Sequence, residues 1–309
     1  MNLKNKRVLV TGGAGFIGSH LVDRLISQGA VVSIVDNLST GHQNNLNPDA
    51  KFYLLDINSP EVEKVFLKER PEVIYSLAFN TIVPKAVVDP IFDIQSLNGN
   101  LSIMVRAVKH GAEKIILASS GFVYGNTKVL PTPETEKVIP ENPYIITKSA
   151  SENYLHFFNK VYGLKFVILR YATVYGPRQV GGAMADYVRS ISSDRRAVFY
   201  GDGQKTRDYV YIDDVIAANL RALDFNADQD ITPIFNIGTG REVSLNYLHS
   251  AIAKLLHKDY QPDYQPERPG ELQRFCLDSS KAKKYLHWEP TINLEQGLEL
   301  MLADKFGAL

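Results

Sequence analysis

This sequence predicts an α/β protein built on a doubly wound parallel sheet, and three observations carry that prediction. Apolar runs of strand length recur at helix-sized intervals, at 7–10, 31–35, 51–56, 72–78, 114–120 and 165–171. Between the first two stands Gly12-x-x-Gly15-x-x-Gly18, where a strand should hand over to a helix. An acid, Asp36, closes the second run. Parallel neighbours need a crossover long enough to hold a helix, so strands that alternate with helical stretches give a parallel sheet covered on both faces.

The first strand, from Arg7 to Val10, is a short apolar run, as burial on both faces requires. Phe16, Ile17, Leu21, Leu25 and Ile26 then recur at helical spacing, and Gly29 supplies a stop. The second strand ends in Asp36. Gly12, Gly15 and Gly18 let the backbone turn tightly and approach a pyrophosphate, whose charge sits at the helix N-terminus. Asp36 would accept hydrogen bonds from adenosine ribose hydroxyls and repel a 2′-phosphate, which favours NAD over NADP. The segment therefore reads as a Rossmann-type dinucleotide site, with the three glycines, Phe16, Ile17, Asp36 and Asn37 as its contacts. Ligands in such sheets collect at the carboxyl ends of the strands, where Asp56, Ile57, Leu77, Ala78, Ser119 and Ser120 fall.

Two segments place a tyrosine four residues before a lysine: YGNTK, Tyr124 to Lys128, and YIITK, Tyr144 to Lys148. Gly125 and Asn126 are turn formers, so Tyr124 and Lys128 should not share a helix face. Before Tyr144, Asn142 can cap and Pro143 suits the first helical position, while Ala150, Tyr154, Phe157, Phe158 and Val161 continue an apolar stripe. Tyr144 and Lys148 then lie one turn apart on one face. A phenol near pKa 10 is a poor base at neutral pH. Lowering it by about three units takes roughly 4 kcal/mol, which an ammonium and a positive nicotinamide ring could supply together. Ser120 is placed to hydrogen-bond the reacting oxygen.

The bulk properties narrow the partners. The chain has 309 residues, enough for one large domain or two smaller ones. Its 34 Lys and Arg balance 34 Asp and Glu, so no net field argues for nucleic acid or an anionic membrane surface. One cysteine, Cys276, excludes an intramolecular disulfide and a multi-thiolate metal centre, and no metal site is expected. No apolar run reaches signal-peptide or membrane-span length, which suits a cytoplasmic location.

The motifs TGGAGFIGSH, ASSGFVYG, YIITK, LRYATVYGPRQ, GDGQKTRDYVYIDD and FNIGTG resemble the extended short-chain dehydrogenase/reductase family, and within it the nucleotide-sugar epimerases and dehydratases. The resemblance runs from Arg7 to about Pro290. It implies catalytic Ser120, Tyr144 and Lys148 above bound NAD, a UDP-hexose as the likeness-based substrate, and epimerisation at C4 by oxidation, rotation of the 4-keto sugar and hydride return. Arg207 and Arg268 would bind the diphosphate, as guanidinium forks suit phosphate oxygens. Thr173 would face the substrate. The implied division interleaves: residues 1–171 form the dinucleotide-binding part, 205–235 returns to it, and 172–309, mainly 172–204 and 236–309, builds a smaller mixed α/β substrate-binding lobe. A homodimer through a four-helix bundle is also implied, with Ile103, Val105, Phe157 and Phe158 as candidates for either its interface or the buried core.

Several positions depart from the usual pattern. SLAF, with Ser76 and Phe79, replaces HLAA, while Ser96 and Thr173 stand where asparagines are common. The stretch after Arg178 is short. Related dehydratases place an acidic pair after the catalytic hydroxyl residue, whereas this chain reads Ser120-Gly121-Phe122. That favours epimerisation, with a dehydratase, a decarboxylase, a 4-keto reductase or a non-catalytic NAD-binding regulator as rivals. Seven residues beyond Arg268, where relatives that accept 2-acetamido sugars carry a small residue, stands Phe275. Its bulk predicts UDP-glucose and UDP-galactose over their N-acetyl counterparts.

Overall fold

The computed structural model describes residues 3–226, 231–259, 261–267 and 271–306. The chain runs through β1 (Arg7–Thr11), α1 (Phe16–Ser27), β2 (Val31–Asp36), β3 (Lys51–Leu54), α2 (Val62–Glu69), β4 (Val73–Ser76), α3 (Val83–Val88), α4 (Pro90–Lys109) and β5 (Lys114–Ser120). It continues with α5 (Pro143–Tyr162), β6 (Lys165–Tyr171), β7 (Thr173–Tyr175), α6 (Ala183–Ser192), β8 (Val198–Tyr200), β9 (Thr206–Arg207), β10 (Tyr209–Tyr211) and α7 (Ile212–Asp224). After these come β11 (Ile234–Ile237), β12 (Val243–Ser244), α8 (Leu245–Leu255), β13 (Asp263–Gln265), α9 (Ser280–Tyr285) and α10 (Leu294–Phe306).

Seven strands form one parallel sheet in the order β11-β6-β5-β4-β1-β2-β3. Side chains alternate between its faces, which is why the strands read as unbroken apolar runs. Val8, Val10, Ile34, Tyr75 and Ile116 enter one core together with Leu21 and Leu25 of α1 and Val215 of α7. Leu9, Val35, Ile74, Ile115 and Leu117 enter the other, with Phe66 of α2, Ile103 of α4 and Leu155 of α5. Each aliphatic side chain so buried contributes roughly 1.5–3 kcal/mol against exposure.

Strand order reverses between β1 and β4, where Thr11 stands beside Ser76. Past the carboxyl ends of those strands the glycine turn meets Leu77 and Ala78, at the place where open α/β sheets bind their ligands. Two expected strands end earlier than their apolar runs, β3 at Leu54 and β4 at Ser76, which leaves Asp56, Ile57, Leu77 and Ala78 on loops at that rim. The seventh strand, β11, is absent from the sequence reading. It is four residues long and pairs Ile234–Ile237 with Ile168–Tyr171 at the sheet edge. It also spans the 235/236 division drawn from the sequence. Short pairs β10-β7, β12-β9 and β13-β8 lie outside the main sheet. Among the described residues no helix is long and apolar enough to cross a membrane.

Candidate active site

The glycine turn is shaped by close approach. Gly12 adopts φ +74°, and a Cβ there would lie 2.9 Å from the Ala78 amide nitrogen, on the loop that follows β4. A Cβ on Gly18 would meet the Gly12 carbonyl oxygen at 2.1 Å, so α1 packs directly on the turn only because Gly18 has no side chain. Gly15 is the N-cap, with no side-chain cap over the first-turn N–H groups of Phe16 and Ile17. An anion fits such an end. The Asp36 carboxylate is already at work: Oδ2 accepts from the Ala14 N–H at 3.0 Å and Oδ1 from the Leu38 N–H at 2.8 Å. A carboxylate has about four lone-pair sites, so it can brace the turn and still receive ribose hydroxyls.

Next along the rim, Asn37 Nδ2 donates to Asp56 Oδ2 at 2.7 Å, and the Asn58 amide donates to Oδ1 at 2.8 Å. Burial pushes the Asp56 carboxyl up, but hydrogen bonds from Asn58 and Asn37 outweigh it and hold the group below its ordinary value. Ile57 is buried against Gly99 of α4, where a Cβ would lie 2.4 Å from its Cδ1.

Helix α5 starts as its sequence requires. Asn142 Oδ1 accepts the Ile145 N–H at 3.0 Å and Pro143 takes the first position, an arrangement in which the cap is worth about 1 kcal/mol. Tyr144 and Lys148 share one face and reach the carboxyl end of β5. The Ser120 side chain hydrogen-bonds the Tyr144 phenol, and its Oγ accepts the Phe122 N–H at 3.2 Å. Lys148 Nζ donates to the Ala118 carbonyl at 2.6 Å, with the Tyr144 ring centroid 5.7 Å away. Burial pushes the phenol up to about 12 against the Ser120 hydrogen bond, and burial draws Lys148 down to about 7. Burial thus works against the charged form of both groups, leaving the phenol neutral and Lys148 partly charged near neutral pH. The lowered phenol expected from the sequence requires a further positive charge, and the NAD ring is the one that the site's chemistry implies.

The other tyrosine has a different environment. Tyr124 lies in a 3-10 turn, Gly121–Tyr124, and is buried, while Lys128 is exposed. Its hydroxyl donates to Asn236 Oδ1 at 2.8 Å and accepts from Arg170 Nη1 at 2.8 Å. Arg170 also grips Glu152 in a fork, Nε to Oε1 at 3.0 Å and Nη2 to Oε2 at 2.6 Å. Ser119 joins this network by donating to Glu152 Oε1 at 2.5 Å, so its hydroxyl is committed there.

On the substrate side, Thr173 Oγ1 is buried with no partner among the described residues. Arg207 Nη1 donates to the Thr206 carbonyl at 2.7 Å, and burial draws the guanidinium below its usual value. It forms no ion pair among the described residues. Arg268 lies outside them. Phe275 is buried with its ring 4.6 Å from that of Phe122, and its Cζ would stand 2.8 Å from a Cβ on Gly121. It therefore touches the residues that follow Ser120.

The departures at Ser76 and Ser96 form a connected set that the sequence did not reveal. Ser76 Oγ donates to Asn100 Oδ1, and Asn100 Nδ2 donates to the carbonyls of Ser96 at 2.7 Å and Ala78 at 3.1 Å. The Asn80 N–H donates to Ser96 Oγ at 2.8 Å. Asn100 and Glu152 are residues that sequence reasoning missed. A buried amide and a buried acid in helices carry no spacing signal, and only their partners disclose them.

Comparison with known proteins agrees with this geometry. The sequence model described as "NAD dependent epimerase/dehydratase family" matches residues 8–238. A putative UDP-glucose 4-epimerase of Methanocaldococcus jannaschii is 38% identical, over 94% of this chain and 96% of the relative. A crystal structure of UDP-glucose 4-epimerase with UDP-glucose from Thermotoga maritima superposes with a TM-score of 0.93 at 42% identity, covering 96% of this chain and 98% of that one. The Thermus thermophilus UDP-glucose 4-epimerase complex with NAD gives 0.91 at 35%, covering 98% and 100%. With a glycine cradle, a strand-end acid and a serine, tyrosine and lysine set on one sheet rim, and with this likeness along nearly its whole length, the chain belongs to the NAD-dependent epimerase/dehydratase family.

Proposed function

We propose that the chain is an NAD-dependent nucleotide-sugar 4-epimerase acting on UDP-hexoses, with UDP-glucose and UDP-galactose ahead of their N-acetyl counterparts. The carrying observation is that Ser120, Tyr144 and Lys148 converge at the same rim as the glycine cradle, with Gly121 and Phe122 where an elimination would need carboxylates. Near-full-length relatives named UDP-glucose 4-epimerase support the substrate class.

Held at the glycine turn and Asp36, NAD supplies the acceptor and then the donor of the C4 hydride. Tyr144 takes the C4 hydroxyl proton and returns it, and Ser120 hydrogen-bonds the reacting oxygen. Lys148 lends the charge that makes a phenolate accessible. Arg207 and Arg268 hold the diphosphate while the 4-keto sugar turns, and the orphaned Thr173 hydroxyl meets the sugar. The substrate lobe comprises mainly 172–204 and 236–309. Phe275 limits space beside Ser120, Gly121 and Phe122, which disfavours an acetamido group.

The same reading makes the protein a cytoplasmic homodimer. Val105 and Phe157 are 53% and 48% exposed, beside exposed Tyr154 and Val161, whereas Ile103 and Phe158 are core. The first pair therefore belongs to the proposed four-helix interface of α4 and α5. Incubation with UDP-, dTDP- and GDP-sugars without added cofactor, followed by NMR, tests the function. Interconversion of UDP-glucose and UDP-galactose is expected, and a dehydrated or decarboxylated product would overturn it.

A further inference from the structure

Lys148 is 4% exposed, and a buried ammonium usually needs a carboxylate beside it. Among the described residues it forms no ion pair. Two acids lie near enough to act on it, Glu152 on its own helix and Asp93 on α4. Glu152 is gripped by Arg170 and Ser119. Asp93 accepts from Thr147 Oγ1 at 2.5 Å through Oδ2, and its Oδ1 has no partner among the described residues. The other titratable neighbour is Tyr144; the facing part of β5, Ala118 to Ser120, and the loop from Leu77 to Asn80 carry no charge.

What covers the ammonium is an aromatic face. The Phe79 ring centroid lies 3.2 Å from Lys148 Nζ, which also donates to the Ala118 carbonyl, and is nearer than the Tyr144 ring. A cation within about 6 Å of a ring centroid is attracted by the ring quadrupole, most strongly where water is excluded. The loop bearing Phe79 is braced on both sides: Asn100 Nδ2 holds the Ala78 carbonyl, and Asn80 is held by Ser96 and by the Phe92 carbonyl. Ser76, Phe79 and Ser96, three of the positions where this chain departs from the usual pattern, thus belong to one connected set of contacts around this loop.

We propose that Phe79 is a positioning residue for proton transfer, its ring face keeping the Lys148 ammonium charged and fixed beside Tyr144. This rests on the epimerase reading for its kinetic consequence but not for its physical one. Loss of the ring removes a contact that favours the charged form, so Lys148 should release its proton at lower pH, as the burial that already lowers it is then opposed only by Glu152 and Asp93.

The test compares wild type, Phe79→Leu, which keeps bulk without a quadrupole, and Phe79→Tyr, which restores the ring face. With UDP-galactose and saturating NAD, the alkaline limb of the kcat profile should move down by about half to one and a half pH units in Phe79→Leu, the size of one cation–π contact. KM should change little, and Phe79→Tyr should restore the midpoint. Independently of turnover, 13C NMR of the Lys148 ε-carbon should show a ring-current shift in wild type that Phe79→Leu abolishes, with the same fall in the titration midpoint. If no sugar is turned over while the NMR midpoint still falls, the epimerase reading fails and the role of Phe79 stands. An unchanged midpoint in Phe79→Leu, equal midpoints in the Leu and Tyr variants, or a wild-type lysine without ring-current shift would overturn the proposal.

Discussion

Tyr124-x-x-x-Lys128 and Tyr144-x-x-x-Lys148 have the same spacing and opposite fates. Tyr124 sits in a 3-10 turn with its hydroxyl saturated by Arg170 and Asn236, and its lysine points to solvent. Tyr144 sits in the first turn of a capped helix, its lysine is one turn on and buried, and its hydroxyl meets Ser120. Burial pushes both phenols up to about 12. The shift therefore does not separate the two tyrosines. What separates them is whether the hydroxyl's hydrogen-bonding capacity is already filled by the protein, and whether the tyrosine opens onto the glycine rim.

The strongest way to break this comparison is Tyr144→Phe. It should cost about 10²–10⁴ in kcat, the range for loss of a positioned proton-transfer group, while leaving NAD bound. Retained turnover, measured on UDP-galactose, would return the chemistry to Tyr124.

Lys148→Met sharpens it through pH. The folded lysine titrates at about 7, against 10.5 in the unfolded chain, so the unfolded state holds more protons between those values. Stability should rise with pH across this window and be lost as pH falls toward 7, by at most about 5 kcal/mol from this group. Urea unfolding of NAD-free protein between pH 7 and 10 should show a shallower rise in Lys148→Met. Lys114, drawn by burial to about 8 while its Nζ caps carbonyls at the end of α7, has the same sign and should persist in both proteins. Equal slopes would place the Lys148 titration elsewhere.

Tyr124→Phe should do the converse of Tyr144→Phe. Removing one hydroxyl leaves Arg170 Nη1 and Asn236 Oδ1 short of a buried partner, costing roughly 1–3 kcal/mol of stability, with kcat retained per folded molecule. A large kcat loss without destabilisation would contradict its structural role.

The smallest effect is expected at Phe275, which touches the turn that joins the two regions. Phe275→Ser should raise kcat/KM for UDP-N-acetylgalactosamine relative to UDP-galactose by about tenfold, the scale of modest steric discrimination in a pocket. A ratio that does not move would show that the ring is core and not gate.

By itself the sequence determined six of the sheet's seven strands, the glycine turn, the acid at the end of β2 and the capped start of α5. These depend on periodicity, on backbone freedom at Gly12 and on short-range caps, interactions that span a few residues and leave their mark in spacing. Only the tertiary structure decided the rest. The edge strand β11 is too short to show a period, and its place follows from pairing with β6, more than sixty residues earlier. Whether Tyr124 is free or filled depended on Arg170 and Asn236, and the company of Lys148 depended on Phe79, each from a distant element. Hydrogen-bond saturation and ring-over-cation contact are properties of pairs remote in the chain, so no local pattern can encode them, and they exist only once the strands have set those residues side by side.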